Sequence, residues 1–313
     1  MLIGDTPGYL FRRMIFTKGG SPIFKRALVL SAGGNKGAFE AGIVYDLIVN
    51  KGLEFDLFSG SSVGALNAAF LAQGANWEEQ AANAEILKTK WLTISGDKDI
   101  YHFKPGNILE LLFGGGLYQP VGLKKLIESL VCPLRLEKGK PLLIPTVALE
   151  DGELYIADSR KQKDRDNITG FLLASASMPI YFPPVKLRDK HWVDGGLRDI
   201  TPINLVINEF PTEVVVVTTY PITKKLEPVY PKFSKPNNIV AVIHRIIDIL
   251  TSEIASNDLW ATQRMINTYR GIGKPGSLCI ISPKEPFTES SLDFSPKLLK
   301  QYFNLGVYTA QNL

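Results

Sequence analysis

Two stretches decide the fold: ALVLSAGGNKG at residues 27–37 and LEFDLFSGSSVGA at residues 53–65. Each begins with an apolar run that predicts a buried strand, and each ends in a glycine-containing turn. A helical pattern follows each turn, with Phe39, Ile43 and Leu47 on one face after the first and an alanine-rich segment after the second. Such repeated strand–turn–helix units are typical of a parallel sheet covered by helices. The sequence therefore predicts a three-layer α/β fold with a largely parallel central sheet flanked by helices.

The rest of the chain adds further elements of both kinds. The run Thr212 to Tyr220, which contains four successive valines, is the most convincing central strand, and Asp151-Gly152 lies between two apolar runs as in a β-hairpin. Residues 108–117 place an apolar run beside three glycines, which indicates either a mobile segment that contacts lipid or a short helix packed into the core. The other predicted elements are helices at 121–130, 168–176, 238–267 and from Pro296, and strands at 142–149, 154–157 and 277–282.

Composition excludes several classes of protein. The 313 residues are 45% hydrophobic and 21% charged, which is ordinary for a globular protein and excludes a disordered or fibrous chain. The net charge of +4 is small and dispersed, so no nucleic-acid partner is expected. Two cysteines, Cys132 and Cys279, cannot form a disulfide framework. No apolar run is long enough to span a membrane. We expect a cytoplasmic protein that can bind a membrane surface peripherally.

The strongest single motif is Gly60-Ser61-Ser62-Val63-Gly64, which has the form G-x-S-x-G. In serine hydrolases this pattern places the serine on a strained turn between a strand and a helix, and the glycines leave room around it. Chance matches are common, but here the motif ends a predicted strand and opens a predicted helix. Ser62 is therefore the candidate nucleophile, with Gly60 and Gly64 forming the nucleophile elbow.

The earlier glycine turn, Gly33-Gly34-Asn35-Lys36-Gly37, has three possible functions. A P-loop requires Ser or Thr after the lysine, and a dinucleotide fingerprint requires glycine at position 32, where this chain has alanine. The remaining function is an oxyanion hole, because backbone N–H groups at a helix N-terminus point towards an anion. A simple helix-packing turn stays open as the alternative.

A serine nucleophile needs a base, and the choice lies between histidine and a carboxylate. His102, His191 and His244 all lie outside the late strand-to-helix loop where an α/β-hydrolase places its histidine. Asp194, followed by Gly195 and Gly196, is the best carboxylate, although Asp151-Gly152 is the same dipeptide. A carboxylate of ordinary pKa is ionised well below neutral pH, so an aspartate base predicts activity with no rise through pH 7.

Four blocks taken together resemble the patatin-like phospholipase family. Residues 31–37 are similar to its oxyanion loop G-G-G-x-[KR]-G, with Ala32 at the first glycine, and residues 60–64 match its nucleophile elbow. Residues 174–185 resemble its A-S-x-x-x-P-x-x-F-P-P block, and residues 194–196 match its D-G-[GA] motif. The resemblance implies a catalytic region at 27–207, preceded by an extension at 1–26 and followed by a C-terminal α/β portion at 208–313, packed into the same domain.

The resemblance also implies a function. The expected enzyme is a lipid acyl hydrolase of the phospholipase A or lysophospholipase type that needs no metal or other cofactor. Its dyad would be Ser62 as nucleophile and Asp194 as proton acceptor in the dyad loop with Gly195 and Gly196. The oxyanion would be held at the loop of Gly33, Gly34, Asn35 and Gly37, and Lys36 could contact a head group. The alternatives are a general esterase or thioesterase, or a non-catalytic or partner-activated lipid-binding module. No activating partner or oligomeric state is predicted.

Overall fold

A computed structural model describes residues 24–103, 115–209, 211–223 and 277–313, together with positions 229, 242, 245–247, 249–250 and 252–260. The N-terminal extension up to residue 23 and most of the predicted lipid-contact segment at 108–117 lie outside these residues, as does His244. Within the described residues, eight strands form one sheet in the order β10-β9-β1-β2-β5-β8-β7, with β6 also paired to β5. The strands are β1 Arg26–Leu30, β2 Leu57–Gly60, β5 Leu142–Ala148, β6 Leu154–Asp158, β7 Val185–Leu187, β8 Lys190–Asp194, β9 Glu213–Val217 and β10 Ser277–Ile281. A separate ribbon pairs β3 His102–Phe103 with β4 Tyr118–Gln119.

Helices cover both faces of this sheet. The described helices are α1 Gly37–Tyr45, α2 Val63–Ala72, α3 Trp77–Thr93, α4 Val121–Leu130, α5 Pro133–Lys138, α6 Gln162–Arg165, α7 Ile168–Ser175, α8 Ile203–Ile207 and α9 Pro296–Gln311, and residues 252–260 are also helical. Side chains alternate between the faces: in β1, Leu28 and Leu30 pack into the core beneath α1 and α2, while Ala27 and Val29 pack into the core beneath α8. Both faces are buried, which confirms the predicted three-layer α/β fold.

The sheet is parallel on one side and antiparallel on the other. Strands β10, β9, β1, β2 and β5 run parallel, which confirms the largely parallel sheet. Strands β6 and β8 run antiparallel to β5, and β7 runs antiparallel to β8. The predicted hairpin is confirmed by the pairing of β5 with β6, with Gly152 at φ 70° in the turn.

The position of the site follows from the way in which three strands, β2, β6 and β8, pair with β5. Strand β6 pairs along residues 143–147 of β5, so β2 and β8 must both lie along its other edge. Ser59 near the end of β2 is opposite Leu143, and Asp194 at the end of β8 is opposite Thr146. Because β2 is parallel to β5 and β8 is antiparallel, their carboxyl ends face each other. The fold thereby brings the turn after β2 next to Asp194.

Candidate active site

Ser62 occupies the turn between β2 and α2 in a strained backbone conformation. Its φ of 53° and ψ of −125° lie in a region that side chains other than glycine rarely adopt. Its N–H donates to Ser175 Oγ at 3.1 Å, which anchors the turn to the end of α7. A Cβ on Gly64 would collide with the carbonyl oxygens of Leu30 and Ser31, so the turn packs against β1 more closely than any other residue permits. These features are those of a nucleophile elbow.

Asp194 is the last residue of β8 and is 1% exposed. Its N–H donates to Ser177 O at 3.1 Å, and its Oδ1 accepts the N–H of Gly196 at 2.7 Å. Its Oδ2 is buried and has no hydrogen-bond partner of regular geometry among the described residues. A Cβ on Gly195 would collide with Pro145 O, so the dyad loop turns tightly against β5. The second carboxylate oxygen is thus held in a fixed position.

Burial dominates the electrostatics of Asp194. It raises the pKa of this carboxyl from its ordinary 3.8 to about 7, against the lowering effect of hydrogen bonding by the Ser62 hydroxyl and the Gly196 N–H. The sequence-based expectation of a carboxylate ionised well below neutral pH is therefore wrong, because the sequence does not reveal how deeply Asp194 is buried. A base with this pKa gains and loses its proton near neutral pH, as a histidine does.

The two described histidines lie away from this site. His191 is on the surface, where its Nδ1 lies 2.8 Å from Glu150 Oε1. His102 is exposed on the short strand β3. Neither lines the cavity that contains Ser62 and Asp194. Of the described titratable groups, Asp194 alone both lines that cavity and interacts with the Ser62 hydroxyl.

The oxyanion loop lies between β1 and α1. Among the described residues, the N–H groups of Gly33 and Gly34 have no hydrogen-bond acceptor, as an oxyanion hole requires. The N–H of Asn35 instead donates to Ser291 O at 2.9 Å, and that of Gly37 closes the helical turn on Gly34 O and Asn35 O. Asn35 and Gly37, which the sequence placed in the oxyanion loop, therefore have N–H groups that are already bonded, because the chain enters a helix at this point.

Alanine at position 32 fits without strain. Positive φ values outside glycine occur among the described residues only at Ser62, Ile180, Arg188 and Asp189, so Ala32 has an ordinary backbone conformation. Its N–H donates to Ile200 O at 3.0 Å, and its carbonyl accepts the hydroxyl of Thr219. The departure from the family's glycine therefore leaves the loop undistorted.

Ser62, Asp194, Gly33 and Gly34 all line one cavity of about 550 Å³. Most of its wall is apolar, and α2, α3 and α4 contribute part of it. Leu66 and Phe70 of α2 lie one and two turns beyond Ser62, and Leu87 and Trp91 of α3 face them. Lys36 and Arg245 also line the cavity. An apolar channel that begins at a serine suits a ligand with a long hydrocarbon chain.

Comparison with known proteins agrees with this geometry. The family model described as patatin-like phospholipase matches residues 28–207. The chain belongs to the patatin-like phospholipase family. It is 30% identical over 213 residues to the uncharacterized protein YqhO of Bacillus subtilis (strain 168), a match that covers 62% of this chain and 70% of YqhO.

Two further matches of this patatin-like chain are more distant. It is 26% identical over 200 residues to the cGAMP-activated phospholipase of Escherichia coli (strain TW11681), covering 55% of this chain and 52% of that protein. VipD from Legionella pneumophila superposes with a TM-score of 0.46 and 14% identity over 99% of this chain and 71% of VipD.

A network of buried polar side chains lies next to the patatin-like site and links the helices around it. Asn67 of α2 donates from its Nδ2 to Gly37 O at 3.0 Å and to Glu40 Oε2 at 3.1 Å, and its Oδ1 accepts the indole N–H of Trp91 at 3.0 Å. Burial raises the pKa of Glu40 well above its ordinary value, against the lowering effect of its hydrogen bond from Asn67. The network joins the helix after the oxyanion loop to the helix after the elbow.

Sequence reasoning missed several groups at this site. Ser175 accepts a hydrogen bond from the N–H of Ser62. It lies in the 174–185 block, but the sequence pattern of that block does not reveal this contact. Asn67 and Trp91 carry no motif and read as ordinary helix residues. Residues 290–294, which contact the oxyanion loop, lie in the part of the chain where the resemblance assigned no role. Only tertiary structure brings these groups together.

Among the described residues, no group of three or more His, Cys, Asp or Glu side chains could hold a metal ion. The described helices are each too short or too polar to span a lipid bilayer.

Proposed function

We propose that this patatin-like chain is a lipid acyl hydrolase of the phospholipase A or lysophospholipase type, acting through Ser62 and Asp194. One observation carries the proposal: the Ser62 hydroxyl, a buried carboxylate oxygen of Asp194 and the free N–H groups of Gly33 and Gly34 line the same apolar cavity. Nucleophile, base and oxyanion donors are the three parts that acyl transfer needs.

In the proposed mechanism Asp194 accepts the proton of the Ser62 hydroxyl as Ser62 Oγ attacks the ester carbonyl carbon. The carbonyl oxygen becomes an oxyanion and takes hydrogen bonds from Gly33 and Gly34. Collapse breaks the ester C–O bond, and the leaving alkoxide takes the proton from Asp194, which leaves an acyl group on Ser62. Water then attacks the acyl-enzyme with Asp194 again as base, and the fatty acid and Ser62 are released.

The cavity supports a substrate with one acyl chain in the channel. Phe70 follows Ser62 by eight residues, so at 1.5 Å per residue the channel runs about 12 Å along α2. The cavity volume of about 550 Å³ lies within the range of roughly 300–1,000 Å³ that is usual for small-molecule sites. This is room for a single long chain. Three basic side chains, Lys36, Lys90 and Arg245, line the cavity, and we assign Lys36 and Arg245 to an anionic head group.

The test is hydrolysis by the purified protein. Vesicles of phosphatidylcholine, lysophosphatidylcholine and a neutral glyceride, with acyl-CoA as the thioester arm, should yield free fatty acid in at least one oxygen-ester arm. Ser62→Ala should lose this activity by a factor on the order of 10⁶, as loss of a nucleophile costs in another serine hydrolase, while keeping its circular dichroism spectrum. A fluorophosphonate probe should label the wild type and fail to label the variant.

Three outcomes would overturn the proposal. Full labelling of Ser62→Ala would show that another residue is the nucleophile. Vesicle binding by a folded wild type that releases no fatty acid from any arm and takes no label would support a non-catalytic lipid-binding module. Turnover of the thioester alone would replace the phospholipase with a thioesterase that uses the same dyad.

A further inference from the structure

A segment near the C-terminus lies against the oxyanion loop. We call residues 290–294 the strap. Asn35 is fully buried and makes three hydrogen bonds to it: its N–H donates to Ser291 O at 2.9 Å, and its Nδ2 donates to Ser290 O at 2.8 Å and to Asp293 O at 2.7 Å. Both hydrogens of the side-chain amide are thereby used within the protein. Asn35 is thus committed to the strap and has no donor left for substrate.

The strap also packs closely against Gly34, the residue before Asn35. Gly34 has φ 59°, a conformation that favours glycine, and a Cβ there would collide with Ser291 O. The strap carbonyl therefore lies directly against the Cα of a proposed oxyanion donor. Any shift of the strap would free Gly34 to rotate and would redirect its N–H.

Two bonds fix the strap independently of the oxyanion loop. The hydroxyl of Tyr101 donates to Leu292 O at 2.6 Å, and the N–H of Phe294 donates to Asp97 Oδ1 at 2.7 Å. Tyr101 itself packs on Tyr118 and Phe182, with ring centroids 4.5 Å and 6.0 Å away. The strap thus ties the oxyanion loop to the region around residues 97–101, and it does so from outside the matched family region at 28–207.

We propose that Asn35 is a positioning residue: through its side-chain amide, the strap holds the N–H groups of Gly33 and Gly34 in the direction of the oxyanion. The kinetic consequence of this inference rests on the proposed function. The hydrogen bonds by which the strap holds the loop do not. It makes the C-terminal part of the chain a component of the active site. A ligand or partner that displaced the strap would lower activity without touching Ser62 or Asp194.

A positioning role and a merely structural one differ in their kinetics. Oxyanion donors bind the transition state far more strongly than the ground state, so misplacing them lowers kcat and leaves KM nearly unchanged. General loss of folding instead lowers the fraction of protein with a reactive serine. Counting reactive serines by the end-point of fluorophosphonate labelling separates the two effects.

The experiment compares Asn35→Ala with Asn83→Ala. Asn83 is a matched control because it is a buried asparagine on α3 that does not line the cavity. With p-nitrophenyl butyrate as substrate, Asn35→Ala should lower kcat per labelled serine by about 10- to 100-fold, below the ~10²–10³ cost of losing a donor outright, with KM within about twofold. Asn83→Ala should keep the wild-type kcat per labelled serine. Hydrogen exchange of a peptide covering 31–39 should be faster than in the wild type in Asn35→Ala and unchanged in Asn83→Ala.

A milder variant covers the case in which Asn35→Ala does not fold. Tyr101→Phe removes the bond to Leu292 O and leaves the loop and the cavity lining intact, and it should lower kcat per labelled serine and speed exchange at 31–39 in the same sense. Wild-type kcat per labelled serine with unchanged exchange, in whichever of the two variants folds, would overturn the inference. If the wild type neither hydrolyses esters nor takes the label, the proposed function fails, and the exchange measurement alone then decides whether Asn35 holds the loop.

Discussion

Asp194→Asn should abolish activity and at the same time stabilise the protein at alkaline pH. Asparagine keeps the shape of the side chain and can still accept the N–H of Gly196, but it cannot take the proton of Ser62. It also removes a carboxylate from a site that is 1% exposed. Loss of the base should lower turnover nearly as far as Ser62→Ala, since residues that act as a unit are not additive.

The gain in stability follows from the pKa of Asp194. Burial raises it from 3.8 to about 7, so between these pH values the folded state keeps a proton that the unfolded state has lost. The wild type therefore loses stability as the pH rises from about 4 to 7, and the loss is complete above 7. At about 1.4 kcal/mol per tenfold change in ionisation constant, the cost is roughly 4 kcal/mol at pH 8 and under roughly 2 kcal/mol at pH 5. Asp194→Asn avoids this cost.

Thermal unfolding of the two proteins at both pH values measures the effect. The destabilisation of the wild type by Asp194 is larger by roughly 2.5 kcal/mol at pH 8 than at pH 5. For a chain of this length, the Tm of Asp194→Asn should therefore exceed that of the wild type by roughly 4 °C more at pH 8 than at pH 5. Burial and mutual interaction also raise the pKa values of the paired carboxyl groups of Asp199 and Asp258, but both residues are present in each protein, so their effect cancels in the comparison.

Three results would refute this reasoning. An active Asp194→Asn would show that Asp194 is not the base. If the Tm of Asp194→Asn minus that of the wild type does not rise from pH 5 to pH 8, then burial of the Asp194 carboxylate does not destabilise the wild type. An inactive but folded His244→Gln beside an active Asp194→Asn would restore a histidine base, whereas we expect His244→Gln to retain most activity.

Wild-type kcat/KM should rise roughly tenfold from pH 6 to pH 8, since the base of the free enzyme is about one-tenth ionised one pH unit below its pKa; a flat profile over this range would contradict a pKa of about 7. Gly34→Ala should lower kcat at least as far as Asn35→Ala, because its Cβ strains the backbone and meets Ser291 O; wild-type kcat would show that the loop tolerates a side chain there. Leu66→Trp should block long acyl chains and spare a butyryl ester, and an equal loss on both esters would argue against the channel along α2. Lys36→Gln should slow hydrolysis of anionic phospholipid vesicles more than of p-nitrophenyl butyrate; equal slowing would remove the head-group role.

Local pattern was sufficient for much of the fold. The apolar runs before Gly33 and Gly60 are strands, Asp151-Gly152 is a hairpin turn, and the helix predicted from Pro296 begins there. These elements depend on near neighbours in the chain: alternation of buried side chains, turn residues and helix starts. The elbow at Ser62 is likewise local, because its glycines and its strained φ lie within five residues.

The sequence by itself thus determined the strand–turn–helix units, the candidate nucleophile and the family of this protein. Only the tertiary structure decided how the groups meet. Strand β8 places Asp194 end-on to β2 because both share one edge of β5, and this burial moves its pKa to about 7. The strap reaches Asn35 from 255 residues away, and it leaves Gly33 and Gly34 as the free donors. Contacts across such separations depend on the packing of the whole chain, and no local spacing of residues records them.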